Sequence, residues 1–166
     1  MKMRNSSSNG KKEIFVILHD IRSVHNVGAI WRTAEAAGVS KIFLTGYTPA
    51  PVDRFGLERK DVAKTALGAE KIIPWETRKN INGLIKELKE KKFTIVAVEQ
   101  SPKSIDYKKV KIKNKTAIIL GNEVTGLPAN ILKNCDIVAE IPMKGKKESL
   151  NVAVAAGIFL FRTLNI

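Results

Sequence analysis

The sequence predicts an α/β fold built around a parallel β-sheet. Short apolar runs alternate along the chain with segments whose apolar residues recur at helical spacing. Several of these runs, such as residues 14–18 and 116–120, are almost continuously apolar, which is typical of strands that are buried on both faces of a parallel sheet. Polar turns follow the ends of the runs, and a further helical pattern comes after the turns, as in α/β proteins.

The first third of the chain is predicted to contain a strand, a helix and a second strand. Residues 14–18 form the first strand. The helix spans residues 26–37, with Asn26 as its N-cap and Gly38 as the residue that ends it. Residues 41–45 form the second strand.

The alternation continues to the end of the chain. An amphipathic helix is the best supported of the later elements, because Ile81, Leu84 and Leu88 recur on one side of it. The later elements are a short helix at 60–67, a short strand at 71–74, the amphipathic helix at 78–91, strands at 93–98 and 116–120, a helical turn closed by Ile131, a strand at 137–141 and a helix at 150–164.

Size and charge predict one domain with a polyanionic partner. The 166 residues suit a single domain, predicted at residues 13–166. Lys and Arg total 29 against 16 Asp and Glu, which gives a net charge of +13. This balance favours nucleic acid or an acidic membrane surface as the partner, and a merely basic soluble protein is the alternative.

The remaining composition favours a cytoplasmic protein. The single Cys135 excludes an intrachain disulfide and has no Cys or His close to it for binding a metal, so no metal site is expected. The longest apolar run, residues 152–161, is too short to span a bilayer. Residues 1–12 are polar and are expected to form a disordered basic tail rather than a secretory signal.

Three polar turns follow strand-like runs and together form a pattern. The first contains Asn26, Gly28 and Arg32 in the order N-x-G-x-I-x-R-T-A. The second, from Leu120, reads L-G-N-E-x-x-G-L, and the third, from Ile141, reads I-P-M-x-G-x-x-x-S-L-N-V-A-V-A. Each turn by itself could be an ordinary strand–turn–helix connection, but their order and spacing together are specific.

These turns resemble the three signature motifs of the SpoU (TrmH) family of RNA ribose 2′-O-methyltransferases, in the SPOUT superfamily. The resemblance covers roughly residues 13–164. It implies a parallel sheet whose C-terminal part forms a deep trefoil knot, an exception to the rule that chains are unknotted. It also implies a homodimer that uses S-adenosylmethionine to methylate tRNA or rRNA.

The resemblance assigns catalytic roles to five residues. Arg32 matches the family's catalytic arginine, which has been proposed to act as a base. Because a guanidinium group keeps its proton, anchoring a phosphate and stabilising the developing alkoxide is the easier role. Asn26 either orients Arg32 or the ribose or only caps the helix, and Glu123 either orders its loop or pairs with Arg32. Ser149 and Asn151 match the third motif, which implies contact with the methionine part of the cofactor or with the target nucleotide, and helix capping explains both residues nearly as well.

The resemblance also implies a cofactor pocket at the ends of the parallel strands, formed by the turns near Val98, Gly121 and Ile141. Small or apolar residues there suit an adenine ring, and Gly121 allows close approach of the backbone. Core packing is the alternative for Ile141 and Leu150. The expected residues that bind the cofactor are Val98, Leu120, Gly121, Ile141, Met143, Ser149 and Leu150.

RNA contacts and a dimer face are expected outside this pocket. The expected RNA-binding residues are Arg32, Arg54, Arg59, Lys60, Lys144, Lys146 and Lys147. Many relatives carry a further RNA-binding domain before the catalytic one, and here only the short tail takes that place, so the catalytic domain is expected to select the substrate. The last helix carries an apolar surface of Val154, Ile158, Phe161 and Phe159, which suits a second subunit. In such dimers the arginine of one subunit meets the cofactor of the other.

Two other functions remain as alternatives. A dinucleotide-dependent oxidoreductase would carry G-x-G-x-x-G after the first strand, and the chain has neither this motif nor a P-loop. A noncatalytic RNA-binding protein could keep the same fold. The presence of Arg32, Glu123, Ser149 and Asn151 argues against it.

Overall fold

A seven-stranded parallel β-sheet forms the centre of the molecule in a computed structural model that describes residues 12–166. The strands are β1 (Glu13–His19), β2 (Lys41–Thr45), β3 (Trp75–Arg78), β4 (Thr94–Val98), β5 (Ile105–Asp106), β6 (Lys115–Leu120) and β7 (Ile137–Glu140). Their order across the sheet is β3-β2-β1-β6-β4-β7-β5, and every pairing is parallel. The predicted α/β fold with a parallel sheet is therefore confirmed.

Helices cover both faces of this sheet. The helices are α1 (Val24–Ala36), α2 (Lys60–Ala66), α3 (Ala69–Ile72), α4 (Ile81–Glu90), α5 (Ala129–Leu132) and α6 (Val152–Leu164), with a 3₁₀ turn at Tyr107–Lys109. One core contains residues of α1, α2, α3 and α6, and the other contains residues of α4 and α5. The continuous apolar runs arise because successive strand residues face different cores, as Ile17 and Leu18 do.

Helix α1 lies at the centre of the first core. It contacts α2, α3 and α6, and Trp31 and Ile30 are fully buried within it. The side chain of Ser23 caps its N-terminus by accepting a hydrogen bond from the Asn26 N–H group. Gly38 follows its C-terminus at φ +73°, as predicted. The predicted cap at Asn26 is wrong, and the side chain of Asn26 is consequently available for other contacts.

Two predicted elements differ from the structure around residues 69–80. The strand predicted at residues 71–74 is the end of α3 and the turn after it, and β3 begins only at Trp75. Because residues 71–74 form a short apolar run, their pattern did not distinguish a strand from one helical turn. The helix predicted from residue 78 begins at Ile81, where the Asn80 side chain accepts a hydrogen bond from Gly83 N–H.

Strand β5 and the 3₁₀ turn that follows it were not predicted. Strand β5 has only two residues, and no apolar pattern marks it. It forms because the chain after β4 crosses to the far side of β7, where Ile105 pairs with Ala139. Val98 at the end of β4 pairs with the same Ala139 from the other side. Strand β7 therefore lies between two consecutive segments of the chain.

The predicted disordered tail at residues 1–12 lies almost entirely outside the described residues and stays a prediction. Among residues 12–166, no helix has both the length and the apolar character needed to cross a membrane. The same described part of the chain contains no group of three or more His, Cys, Asp or Glu side chains that could hold a metal ion.

Gly28 allows α1 and α2 to pack closely, and replacing it should destabilise the fold. A Cβ atom at residue 28 would collide with Thr65 Oγ1 and lie 2.9 Å from the Val62 carbonyl oxygen, which belongs to the backbone. We expect Gly28→Ala to lower the free energy of unfolding by about 1–3 kcal/mol, the usual cost of overpacking.

Gly83→Ala is the matched control, because a Cβ atom there meets nothing closer than 3.5 Å. Replacing this helical glycine should raise the free energy of unfolding by up to about 1 kcal/mol. Urea denaturation followed by circular dichroism measures both effects. Equal unfolding midpoints for the two variants would contradict the close packing of α1 on α2.

Candidate functional site

A cleft of about 150 Å³ opens where β4, β6 and β7 end, at the carboxyl edge of the sheet. All seven residues predicted to bind a cofactor line it, although they come from three separate parts of the chain. They are Val98, Leu120, Gly121, Ile141, Met143, Ser149 and Leu150. Ile141 and Leu150 are only partly buried, and neither belongs to a core cluster, so their alternative role as core residues is not supported.

A chain of three side chains joins the three polar turns beside this cleft. Asn26 Nδ2 donates a hydrogen bond to Glu123 Oε1 at 3.0 Å, and Asn151 Nδ2 donates to Asn26 Oδ1 at 3.1 Å. Asn151 Oδ1 in turn accepts from the backbone N–H groups of Ala153 and Val154. Because a carboxylate only accepts and a backbone N–H only donates, these contacts determine the orientation of both amides.

Glu123 is the end of this chain and holds the N-terminal turn of α1. Its carboxylate accepts hydrogen bonds from the backbone N–H groups of Arg22 and Ser23, both at 3.0 Å, as well as from Asn26. Partial burial acts to raise the pKa of Glu123, but the hydrogen bonds from Arg22, Asn26 and Ser23 outweigh it and hold the pKa below its usual value. Of the two roles predicted for Glu123, ordering the loop is the one seen, and Glu123 does not bond to Arg32.

The sequence left two roles open for Ser149 and Asn151, contact with a ligand and capping of α6, and the two residues differ in the role that they have. Asn151 is the N-cap of α6. Ser149 makes no capping hydrogen bond to α6 and instead lines the cleft, where its hydroxyl is exposed. Ser149 is therefore available to a ligand, and its interpretation as a helix cap is wrong.

Asn122 belongs to the second motif, but the sequence predicted no role for it. In the structure its side chain holds the second turn together. Its Nδ2 atom donates to the Asp20 carbonyl at 2.9 Å and to the Tyr47 hydroxyl at 2.7 Å. Its Oδ1 atom accepts from the backbone N–H groups of Val124 and Thr125, both at 2.8 Å. The buried Asn122 thus connects the loops after β1, β2 and β6 beside the cleft.

Gly121 is required by this turn rather than only by a ligand. A Cβ atom there would lie 2.7 Å from the Leu127 side chain and 2.9 Å from the backbone carbon of Gly126. The chain turns back on itself at this point, since Asn122 and Gly126 form a β-bridge. The absence of a side chain at residue 121 allows this close approach.

The lining of the cleft is acidic in a strongly basic protein. Glu99, Glu123 and Glu140 line it, and no Lys or Arg does so among the described residues. Glu99 accepts hydrogen bonds from the N–H groups of Leu127 and Gln100, while Gln100 Nε2 donates to the Glu148 carbonyl at 2.6 Å. Sequence reasoning missed Glu99, Gln100 and Glu140, because no motif or spacing marks them.

Arg32 lies apart from the cleft. Its side chain is exposed and lines a second depression of about 620 Å³, together with Lys64, Thr65 and Phe161. The helical spacing explains the separation: six residues place Arg32 about 9 Å further along α1 than Asn26, and on a different side of it. Within one described chain, the predicted catalytic arginine and the predicted cofactor pocket are therefore not together.

The cations predicted to bind RNA are exposed or half-buried, but they differ in their partners. Arg59 donates to Asp61, with a shortest distance of 2.7 Å, whereas Arg54 lies over the Phe55 ring at 4.7 Å from its centroid. Lys60 lies at the start of α2, and Lys144, Lys146 and Lys147 lie in the turn between β7 and α6, all four exposed.

The apolar surface predicted on α6 is smaller than expected. Phe159 is fully buried in the first core, so its assignment to a dimer face is wrong. Its position on the helix turns it towards the sheet, while Val154 is half-exposed and Ile158 and Phe161 are partly buried. These three residues remain available for a second subunit.

Cys135 is the only cysteine of the chain and is half-buried beside α5. Burial raises the pKa of its thiol to about 11. At neutral pH the thiol is therefore protonated and unreactive, which agrees with its predicted role as a small, partly buried apolar residue.

A comparison with known protein families decides which family has this arrangement of motifs. The model of the SpoU rRNA methylase family matches residues 13–161, nearly the whole of the described part. The chain belongs to this family. The resemblance inferred from the three motifs is thereby confirmed.

Curated relatives of this SpoU family protein are named as RNA methyltransferases. A 23S rRNA (guanosine-2′-O-)-methyltransferase RlmB of Xylella fastidiosa is 33% identical over 155 residues, which cover 93% of this chain and 59% of the relative. The RlmB protein of Neisseria meningitidis is 35% identical over 150 residues, covering 90% and 57%. The chain thus spans about three fifths of the length of these relatives.

Solved structures agree with the fold of this SpoU family protein. An rRNA methyltransferase from Sinorhizobium meliloti is 31% identical with a TM-score of 0.81, covering 93% of this chain and 56% of that one. The AdoMet-bound form of an rRNA methyltransferase from the same organism also has a TM-score of 0.81, at 29% identity, covering 94% and 57%. The parallel α/β sheet described above is the fold of these proteins.

The lowered pKa of Glu123 predicts how its substitution affects stability at different pH values. Because the pKa is lower in the folded state, the ionised carboxylate stabilises the fold above the usual glutamate value of 4.5, and this contribution is lost as the pH falls through the lowered value. Glu123→Gln should therefore lower the unfolding temperature at pH 7, and the difference from wild type should shrink in acid.

Thermal unfolding followed by circular dichroism between neutral and acidic pH measures this difference. Glu90→Gln is the control, since Glu90 is exposed at the end of α4 and makes no hydrogen bond or ion pair through its side chain in residues 12–166. A Glu123→Gln difference that stays constant down to acidic pH would contradict the role assigned to the carboxylate.

Proposed function

We propose that the protein transfers a methyl group from S-adenosylmethionine to a ribose 2′-hydroxyl of tRNA or rRNA. The observation that carries the proposal is the hydrogen-bonded chain Glu123–Asn26–Asn151, which joins the three family motifs to one another beside the cleft. The curated relatives named as guanosine-2′-O-methyltransferases support the reaction type, and the AdoMet-bound relative supports the cofactor. The same proposal places the protein with its RNA in the cytoplasm.

The cleft suits this cofactor in both its charge and its apolar surface. S-adenosylmethionine carries a sulfonium and an ammonium group against a single carboxylate, so it is a cation overall. The three carboxylates of the cleft and the absence of Lys and Arg from its described lining favour a cation. A dinucleotide would find no cation there for its pyrophosphate, so the lining disfavours the oxidoreductase alternative. When bound, the cofactor supplies the methyl group.

The protein side chains would bind and position the substrate. Leu120, Ile141 and Leu150 offer apolar contact for an adenine ring, and Ser149 offers a hydroxyl to the methionine part or to the target nucleotide. The hydrogen bond between Asn26 and Asn151 holds the first turn of α1 next to the start of α6. Arg32, with its charged head exposed, is suited to holding an RNA phosphate and stabilising negative charge at the ribose oxygen.

A homodimer is part of the proposal, because Arg32 and the cleft lie apart in one chain. The exposed Arg32 shares its depression with Phe161 of α6, close to the half-exposed apolar residues of that helix. A second subunit packed against α6 would cover this apolar surface. It could also bring its own cleft to Arg32, so that each active site is shared between two subunits.

A trefoil knot around the cleft is also proposed. Val98 and Ile105 pair with Ala139 from opposite sides, so the connecting residues 99–104 pass around β7. The chain that leaves β7 then returns across the ends of β4 and β6 to reach α6, which packs on α1. The chain would be knotted if its C-terminal segment, residues 141–166, passes through the loop formed by the preceding residues. The turns at Val98, Gly121 and Ile141 would then be the loops of the knot.

A noncatalytic RNA-binding protein with the same fold is the alternative, and the reaction itself discriminates between the two. Wild-type protein incubated with labelled S-adenosylmethionine and separate tRNA and rRNA pools should label a ribose 2′-oxygen, as measured by mass spectrometry of the nucleosides. The labelled pool identifies the substrate class. Labelled bases with unlabelled ribose, or failure to bind the cofactor in calorimetry, would overturn the proposal.

The shared site predicts that two inactive variants restore each other. Arg32→Ala should lose nearly all turnover while keeping its cofactor affinity, because Arg32 lies outside the cleft. Leu150→Arg should abolish cofactor binding by placing a charge on an apolar part of the cleft. Co-expression of the two should restore about a quarter of wild-type activity, because half of randomly paired dimers are mixed and each has one intact site in two.

Lys86→Ala is the control for loss of an exposed cation, since Lys86 lies on α4 at the opposite face of the sheet. It should retain wild-type turnover. Size-exclusion chromatography with light scattering verifies the dimer, and differently tagged subunits verify the mixed one. Background activity in a verified mixed dimer would rule out the shared site, and a monomer would rule out the dimer.

A further inference from the structure

The loop between β2 and α2 presents large apolar side chains directly to solvent. Phe55 is 71% exposed, Leu57 is 66% exposed and Tyr47 is 59% exposed. Three large exposed apolar side chains in the loop of residues 46–59, two of them aromatic, make this loop a candidate binding surface. The charged residues of this loop were predicted to bind RNA, but its aromatic rings offer exposed apolar surface instead of charge.

Hydrogen bonds to Asp53 hold the backbone at the tip of this loop. Asp53 Oδ1 accepts hydrogen bonds from the N–H groups of Phe55 and Leu57 at 2.8 and 2.9 Å. The backbone of Asp53 bonds to Leu57 and to Gly56, and Gly56 has a φ of +80°. These hydrogen bonds hold the backbone at Phe55 in one conformation before any partner binds, which lowers the backbone entropy lost on binding.

The surface of this loop continues to the cleft. The Tyr47 hydroxyl accepts a hydrogen bond from Asn122 Nδ2 at 2.7 Å, and Asn122 lines the cleft. Val124, which is 79% exposed and also lines the cleft, is held by the other side of the same amide. An apolar ring and an apolar side chain thus stand beside the candidate site, both fixed by Asn122.

The partner of this surface must combine negative charge with flat apolar faces. The chain has a net charge of +13, and the Arg54 guanidinium lies 4.7 Å from the centre of the Phe55 ring. Neither Arg54 nor Lys60 forms an ion pair within residues 12–166. Unpaired nucleic acid has this combination, since its phosphates are charged and each base has a π-face that stacks on an aromatic ring. A duplex keeps its bases stacked inside and offers mainly phosphates and sugar edges.

We propose that Tyr47 and Phe55 form a stacking platform for unpaired bases of the RNA, beside the candidate methyl-transfer site. The inference rests on the proposed function and narrows its substrate to a single-stranded segment of RNA, such as a loop. Arg54 adds a cation next to the stacked base. The platform binds bases that are unpaired, and it does so with little dependence on the base sequence of the RNA.

Binding of single-stranded and duplex RNA by the full chain tests the platform. A short unstructured oligoribonucleotide and the duplex of the same sequence are titrated at one salt concentration, with fluorescence anisotropy as the signal. Phe55→Ala should weaken binding of the single strand by about 5- to 150-fold, as expected for the loss of one base–aromatic stack. Its affinity for the duplex should change less than 2-fold. Phe55→Trp should bind the single strand at least as well as wild type.

A base analogue supplies a direct measure of stacking. The fluorescence of 2-aminopurine in the single strand should be quenched on binding to wild type and to Phe55→Trp, but not to Phe55→Ala. Ile72→Ala is the matched control, because Ile72 is an apolar side chain of similar exposure, 66% against 71% for Phe55, and lies on α3 outside the lining of the cleft. It should leave both affinities unchanged.

The outcomes separate this platform from the proposed function. Single-strand affinity of Phe55→Ala within 2-fold of wild type, or an equal loss for single strand and duplex, overturns the platform even if the protein methylates ribose. A dissociated Phe55→Ala dimer with normal affinity for the single strand would make this loop a protein contact and also overturn it. Stacking through Phe55 without any ribose methylation would keep the platform and reject the proposed function.

Discussion

The arrangement of the site depends on one carboxylate, that of Glu123. It accepts hydrogen bonds from the backbone of Arg22 and Ser23 and from the Asn26 side chain. Asn26 in turn accepts a hydrogen bond from the Asn151 side chain. Loops that are 97 and 125 residues apart in sequence are thereby held together. Because each amide has only one orientation that satisfies both neighbours, the chain of contacts has a single arrangement. The positions of α1 and α6 relative to the cleft follow from it.

Opposite charges are separated on this protein in a way that fits two different ligands. The cleft is lined by carboxylates, while lysines and arginines lie on the outer loops and on the exposed sides of helices. Electrostatic attraction acts over about 8–10 Å at ordinary salt concentrations. A cationic cofactor and a polyanionic RNA can therefore each meet complementary charge. Separation of the sites is also what makes the second subunit necessary in the proposed mechanism.

Burial of the sheet on both faces determines where such chemistry can occur. With helices packed on each side, the carboxyl edge of the parallel strands remains as the place where loops from distant parts of the chain meet. Strand β7 inserts between β4 and β5, which brings the third motif beside the second. The close approach of α2 to α1 at Gly28 places the α2 side chains around Arg32. Packing of the two cores thus sets the distance between the cleft and the arginine.

The sequence by itself determined the local features of this protein. Continuous apolar runs identified the main strands, and the three motifs identified the family and six of the seven residues predicted for the cleft, Val98 being the exception. These features are local because strand burial and turn chemistry depend on near neighbours in the chain. Other features depend on contacts between distant segments, and only the tertiary structure decided them. Asn26 acts as a bridge and not a cap because Ser23 caps α1 and Glu123 lies within reach. The two-residue β5 exists only beside β7, Phe159 faces the core, and Arg32 lies outside the cleft, since each position follows from how the helices pack on the sheet.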